Sequence, residues 1–368
     1  MKARVIAFYL PQYHPTIDND KWWGKGFTEW TNVGKAKPLF HGHYQPKVPA
    51  DLGYYDLRLP EIREEQAKMA REAGIEGFCY YHYWFGNGKR ELERPFNEVL
   101  RLGKPEYPFC LCWANESWHA KLWNKDGNYS SKMLIEQKYL GEKDYVMHFY
   151  ELLPAFKDTR YIKVDGKPLF MVYKPLFFPD MVAFIKLWNQ LAKENGLDGI
   201  YFVGQTVDSR EIGTILAKGF DSVNLVRLWE WMQERSVFGH IMDRMNSLFR
   251  NMPRIYEYRD MVNSFIGEEE KRRNIIPTLI PNWDHTPRSG RGGYVLNNST
   301  PELFSKHVTF VMDVVKDKPE EFRLVFLKSW NEWGEGNYME PDLRFGKGYI
   351  SSLSLIHISE PTRHSLIS

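Results

Sequence analysis

Cysteine is scarce in this chain, with three in 368 residues, which excludes the disulfide scaffold of a small secreted domain. Cys110 and Cys112 alternate in a strand-like run that turns both thiols to one face, and Cys79 lies in a second apolar run. All three read as buried, reduced thiols, which fits a cytoplasmic chain. Long apolar runs are missing too. None approaches the roughly 18 residues of a membrane span, and the opening MKARVIAFYLPQYHP loses its apolar character at Pro11-Gln12, so neither a span nor a signal peptide is expected. Excess charge of one sign is absent: 49 Lys and Arg against 47 Asp and Glu leave +2, too little for an electrostatic footprint on nucleic acid or an anionic membrane. Also missing are HExxH, CxxC or a similar ligand set, and a glycine-rich phosphate loop after the first strand. Neither a transition metal nor a dinucleotide is expected, and no cofactor is assigned.

What the chain has in excess is aromatic residues: 13 Trp, 21 Tyr and 23 Phe, 15% of the whole. It also has a regular alternation. Eight short β-branched or aromatic runs, at 4–8, 77–83, 109–113, 169–173, 200–204, 220–225, 276–281 and 324–328, are mostly continuous rather than alternating, as expected of parallel strands covered on both faces. Helical patterns are predicted between them at 59–73, 93–101, 143–156, 179–195, 210–218, 256–265 and 301–316, with Gly74 and Gly196 as stops and Thr300-Pro301 as a start. Eight strands and seven helices predict an α/β fold, a single-domain (β/α)8 TIM barrel, in preference to an open doubly wound sheet. No linker divides the chain, so residues 1–350 read as one domain. Segments up to about residue 56, at 114–142 and at 227–253 read as insertions that build cleft walls. The last eighteen residues, 351–368, hold six serines and two formal charges without a helical period. They resemble translated sequencing-adaptor read-through, a non-native tail, so the barrel is expected to lack its last helix.

Chemistry concentrates at the predicted strand ends. After the eighth strand comes Lys328-Ser329-Trp330-Asn331-Glu332-Trp333-Gly334-Glu335-Gly336, followed by Tyr338 and Glu340. Glu332 and Glu335 are three apart, a spacing that brings both to one side of a turn, and the flanking Trp330 and Trp333 would lower the local dielectric and separate their pKa values into an acid and a base. A second cluster, Trp113-Ala114-Asn115-Glu116-Ser117-Trp118, follows the third strand. Tyr9, Gln12, Tyr13 and His14 follow the first, Tyr81, His82, Tyr83 and Trp84 end the second, and Asn282-Trp283-Asp284-His285, with Arg288 beyond, ends the seventh. Flat rings beside amides and carboxylates suit sugars, whose C–H faces pack on aromatics while hydroxyls need hydrogen-bond partners. The insertion Trp22-Trp23-Gly24-Lys25-Gly26-Phe27-Thr28-Glu29-Trp30-Thr31-Asn32-Val33 reads as a further cleft wall.

The segments AFYLPQYHP, WWGKGFTEWTNV, GFCYYHYWF, CWANESW, PNWDHTPR and SWNEWGEGNYMEPD together resemble the WbsX-like family found with bacterial polysaccharide biosynthesis genes. That family is similar to glycoside hydrolase family 99, the endo-α-mannosidases. The resemblance spans about residues 4–350 and implies a (β/α)8 barrel acting on a bacterial polysaccharide or oligosaccharide. By its pattern Glu335 would be the general acid/base at the glycosidic oxygen, and Glu332 the base on the sugar 2-hydroxyl, giving a 1,2-anhydro intermediate and retention. Tyr9, Gln12, Tyr81, His82, Trp113, Asn115, Glu116, Trp283 and Asp284, with Trp330, Asn331, Trp333 and Glu340, would shape the sugar subsite. Two rivals stand beside this reading: a glycosyltransferase of cell-surface polysaccharide synthesis, though no diphosphate cradle or DxD motif supports it, and a non-catalytic glycan-binding barrel. The sugar, its linkage and the oligomeric state are not legible.

Overall fold

In the computed structural model, residues 3–123, 129–234 and 252–358 are described. Nine parallel strand segments form the frame: β1 (Arg4–Tyr9), β2 (Gly77–Trp84), β3 (Phe109–Trp113), β4 (Lys167–Val172), β5 (Tyr201–Thr206), β6 (Ser222–Leu225), β7 (Ile275–Ile276), β8 (Thr278–Leu279) and β9 (Leu324–Leu327). Their order is β7-β6-β5-β4-β3-β2-β1-β9-β8. The two ends of that sheet are consecutive pieces of one run, parted by Pro277. Pro277 has no N–H to give, but its carbonyl accepts from Phe326 N at 3.0 Å. The run therefore pairs with β6 on its first half and with β9 on its second, nearly closing a barrel. All eight predicted runs are present. They are continuous in apolar character because they are buried on both faces; every residue of β2 is buried.

Helices α1 (Pro60–Glu72), α2 (Arg94–Leu102), α3 (Glu142–Phe156), α4 (Met181–Glu194), α5 (Ile212–Ala217), α6 (Pro301–Val315) and α7 (Gly348–Ile358) follow the strands. Thr300 caps α6, accepting from Leu303 N at 3.3 Å, with Pro301 in the first turn. Two expectations differ from the structure. The predicted helix 256–265 begins too early: Tyr256 and Glu257 end a strand, Arg254–Glu257, paired with Tyr294–Asn297, and helix appears only as a short α-helical turn, Tyr258–Met261, followed by a 3-10 turn, Val262–Ser264. The final helix is present: α7 runs through Ile358, buries Tyr349, Ile350 and Leu353, and is tied to α6 by Ser352 Oγ donating to Pro301 O at 2.9 Å. The remaining tail, 359–368, lies outside the described residues, as do 124–128 and 235–251 of two expected insertions.

Much of the aromatic excess is core. Trp84, Trp113, Trp188, Trp330 and Trp333 are fully buried. Between β2 and α3 the rings of Trp84 and His148 stack at 4.6 Å, and His148 Nε2 meets His82 Nε2 at 2.8 Å. Burial, which penalises the imidazolium, pushes His82 down to about 3 and His148 well below its ordinary value; it also pushes His307 down to about 3 and His14 to about 4. Unfolded histidines titrate near ~6.5. The folded values are depressed, so this stability is present in full above that pH and is lost as pH falls through ~6 toward 4. Thermal melts should show Tm dropping steadily between pH 7 and 5, with protons taken up on unfolding. A Tm independent of pH over that interval would contradict the neutral buried histidines.

Candidate active site

The strand ends open into a cleft of about 930 Å³. Two insertions wall it. One carries the helices Ile17–Trp23 and Glu29–Lys35, the other the strand pair Trp118–Trp123 and Tyr129–Ile135, and Trp22 and Trp118 meet edge to face at 6.1 Å.

On the floor, the chain leaves β9 and folds into a tight hairpin. Asn331–Glu332 pairs antiparallel with Asn337–Tyr338, and a 3-10 turn, Trp333–Glu335, joins them, so the three-residue spacing delivers both carboxylates to the cleft. Neighbouring side chains fix the hairpin. Asn331 accepts from Leu10 N at 2.7 Å and donates to Leu10 O at 3.0 Å. Asn337 Nδ2 donates to the carbonyls of Asn282 and Lys328 at 2.7 Å each, and Trp333 N donates to the Tyr13 hydroxyl at 2.8 Å. Trp333 stacks on Tyr338 at 3.7 Å and donates through Nε1 to Glu340 at 2.6 Å. Glu340 also accepts from Tyr55 and Gln66, and burial pushes it up to about 7 despite these donors.

Arg288, from the short helix Thr286–Ser289, organises the carboxylates. Its Nη1 lies 2.6 Å from Glu335 Oε1 and 3.2 Å from Glu332 Oε1, while its Nε donates to Glu29 Oε2 at 3.0 Å. One Nη1 thus holds an oxygen of each carboxyl group, which sets the two glutamates side by side on the cleft floor. The pair is electrostatically split. Burial, and then the charge of Glu335, push Glu332 up to about 7. Burial would raise Glu335 as well, but Arg288 and His285, whose Nε2 is 3.4 Å away, hold it well below the usual carboxylate range. Below about pH 7 the pair therefore favours one proton, on Glu332, with Glu335 as the anion.

Of the other expected sugar contacts, Gln12, Tyr81, Glu116 and Trp283 line the cleft. The rest point elsewhere. Successive side chains of β2 face opposite ways, so Tyr81 and Tyr83 enter the cleft while His82 turns outward to His148. Tyr9 donates to Gln66 at 2.7 Å, and Trp113 donates to the Trp84 carbonyl at 3.0 Å among helix-side rings. Asn115 brackets Lys174, accepting from its N–H and donating to its carbonyl, much as Asn331 brackets Leu10. Asp284 is 1% exposed and accepts from His43 Nε2 at 2.8 Å, the tautomer fixed by Leu39 N donating to Nδ1, from Gln45 at 2.6 Å and from Thr286. Trp330, Trp333 and Glu340 lie behind the hairpin. These residues build the walls rather than face the cleft. Glu29, Lys328, Tyr173, Tyr294 and Arg288 also line it, none of them among the expected sugar contacts. Signals in the sequence were a charged residue, Glu29, set inside an aromatic insertion, and Lys328 at the head of the glutamate segment.

A family model described as "Glycosyltransferase WbsX" matches residues 5–353. Two proteins of Xanthomonas campestris pv. campestris, each named "Uncharacterized protein WxcX", are 35% identical over 96% of this chain, from strain B100 over 360 residues and from strain ATCC 33913 over 363. The chain spans about half the length of these curated relatives, 49% of each. Among solved structures, a GH99 endo-alpha-mannosidase from Bacteroides thetaiotaomicron superposes with a TM-score of 0.56 at 16% identity, covering 96% of this chain and 95% of that one. A "Glycoside hydrolase-like protein" superposes with a TM-score of 0.58 at 15% identity, covering 98% and 95%. These likenesses establish the TIM-barrel fold.

Gly334 is what lets Glu29 and Arg288 reach the pair: a Cβ there would sit 2.1 Å from Glu29 Oε2 and 3.1 Å from Arg288 Nε. Gly334→Ala should therefore displace Glu29 and cost about 1–3 kcal/mol of stability, read from urea unfolding. A variant as stable as wild type would contradict this packing.

Proposed function

Because the chain belongs to the WbsX family, we propose that it is a glycan-processing enzyme of polysaccharide biosynthesis in which Glu332 and Glu335 act together on a glycosidic bond. The observation that carries this reading is the split pair: two carboxyl groups in one cleft, both held by a single guanidinium, with Glu332 pushed up and Glu335 pushed down. Retention of configuration is the outcome that the family 99 resemblance implies.

The pair starts with its proton on Glu332. The roles implied by the family 99 resemblance require that proton on Glu335, as acid toward the glycosidic oxygen, with Glu332 ionised to accept from the sugar 2-hydroxyl. Arg288 controls the exchange. A substrate oxygen that draws Nη1 away from Glu335 weakens the charge holding it ionised, and the shared proton can then move across the short gap. Tyr81, Tyr83, Tyr173 and Tyr294 line the same space as neutral phenols, since burial pushes each well above its ordinary pKa. Their hydroxyls are suited to sugar hydroxyls and their rings to C–H faces.

Hydrolysis is the primary reading, supported by the carboxyl pair. Transfer is the second, supported by the family description. Incubation with capsule or O-antigen oligosaccharides from the chain's own gene neighbourhood separates them: cleavage without a nucleotide sugar supports hydrolysis, and product that forms only with one supports transfer. Glu335→Gln and Glu332→Gln should each lower the rate by about 10²–10⁴-fold; a variant within threefold of wild type would remove that residue from the chemistry. The single proton of the pair leaves as pH rises through about 7, so the rate should fall above that pH. A rate that keeps climbing to pH 9 would overturn the proton assignment.

A further inference from the structure

At the cleft floor, beside the glutamates, Lys328 is 7% exposed. Its stem is buried, and its Nζ lies 5.3 Å from the ring centroid of Trp283, 5.5 Å from Tyr173 and 5.8 Å from Phe8. These rings come from the ends of β8, β4 and β1. Three aromatic faces stabilise an ammonium but offer it no acceptor, and among the described residues no oxygen accepts a hydrogen bond from this Nζ. The side chain lines the cleft, so its open donors point at whatever enters. Lys174 stands on the same Tyr173 ring, with its Nζ 4.9 Å from the centroid, and it too donates to no acceptor among the described residues.

The carboxylates that face these lysines are Glu116, Glu332 and Glu335. Glu335 is committed to Arg288, and Glu332 carries the pair's proton. That leaves the two lysines facing one carboxylate not held by Arg288, Glu116, and neither Nζ donates to it. A cation that is buried, ring-caged and unbonded is costly unless its ligand completes it.

We propose that Lys328, with Lys174 beside it, binds the carboxylate of an acidic sugar, so that the glycan carries a uronate-type residue next to the bond on which Glu332 and Glu335 act. This rests on the glycan reading above. A carboxylate matches the site better than a diphosphate does. The lysines are point charges on an aromatic floor, without the arginine fork or backbone N–H cradle that grips phosphates. The surrounding rings suit the C–H face of the same sugar.

The test measures binding of the full chain, by calorimetry at pH 6.5, to trisaccharides of glucuronate, galacturonate and mannuronate and to the same trisaccharides after carboxyl reduction, with inorganic pyrophosphate as a further arm. At least one acidic trisaccharide should bind tenfold or more tightly than its reduced form. Lys328→Met, which keeps the stem among the rings, should abolish that preference while binding of the reduced form persists. Equal binding of acidic and reduced forms by wild type overturns the proposal and leaves the glycan reading standing. Binding of neither form counts against both. Pyrophosphate binding that depends on Lys328, without uronate binding, overturns the carboxylate in favour of a phosphate. Wild type alone decides between acidic and reduced forms, so the result does not depend on the variant folding; Lys328→Arg, which keeps the charge, should retain part of the preference.

Discussion

A single guanidinium set against three carboxylates governs the geometry of this protein's cleft. Arg288 reaches Glu29, Glu332 and Glu335, and it divides the last two into proton holder and anion. Removing it would leave three carboxyl groups crowded on the cleft floor without their shared donor. The barrel explains how three distant pieces of sequence converge on it. Glu29 comes from the insertion after β1, Arg288 from the segment after β8 and the glutamate pair from the turn after β9, and the sheet order β1-β9-β8 sets those three strand ends side by side. The site is therefore a property of the strand order.

The aromatic residues serve two ends, separated by the pleat of the strands. Side chains of one parity close the cleft as neutral phenols and flat rings. Those of the other parity pack against the helices, where Trp84, Trp113 and Trp188 surround His148. Between the two sets, amide side chains act as brackets: Asn115 on Lys174, Asn331 on Leu10, Asn337 on two carbonyls. Each holds a strand-end loop by its backbone, and the cleft side chains inherit their positions from that grip.

The barrel was readable in the sequence because its strands are buried on both faces and so appear as unbroken apolar runs between amphipathic helices. The glutamate pair was readable because its three-residue spacing is local. What was not readable depends on contacts far along the chain. Tyr256 and Glu257 look helical by the local periodicity, yet they end a strand because Tyr294–Asn297 pairs with it. Asn115, Asn331 and Asp284 look like sugar ligands, since an amide that brackets a backbone and one that binds a hydroxyl are the same letter. His82 was misplaced by one step of strand parity, which composition cannot fix. Helix α7 was missed because its few inward apolar residues, Tyr349, Ile350 and Leu353, sit among serines.

The bracket between Asn331 and Leu10, and the bond from Trp333 to Tyr13, join residues about 320 positions apart. A nascent chain can form most of its βα units as they emerge, but Leu10 and Tyr13 wait for the Asn331–Trp333 turn until nearly all of the described chain has been made. Contacts of such sequence separation are slow to form, and for that period the aromatic insertion that carries Glu29 lacks the floor it covers. The cleft is thus the last part of the molecule to mature, and the interval before β9 arrives is when its rings are open to wrong partners.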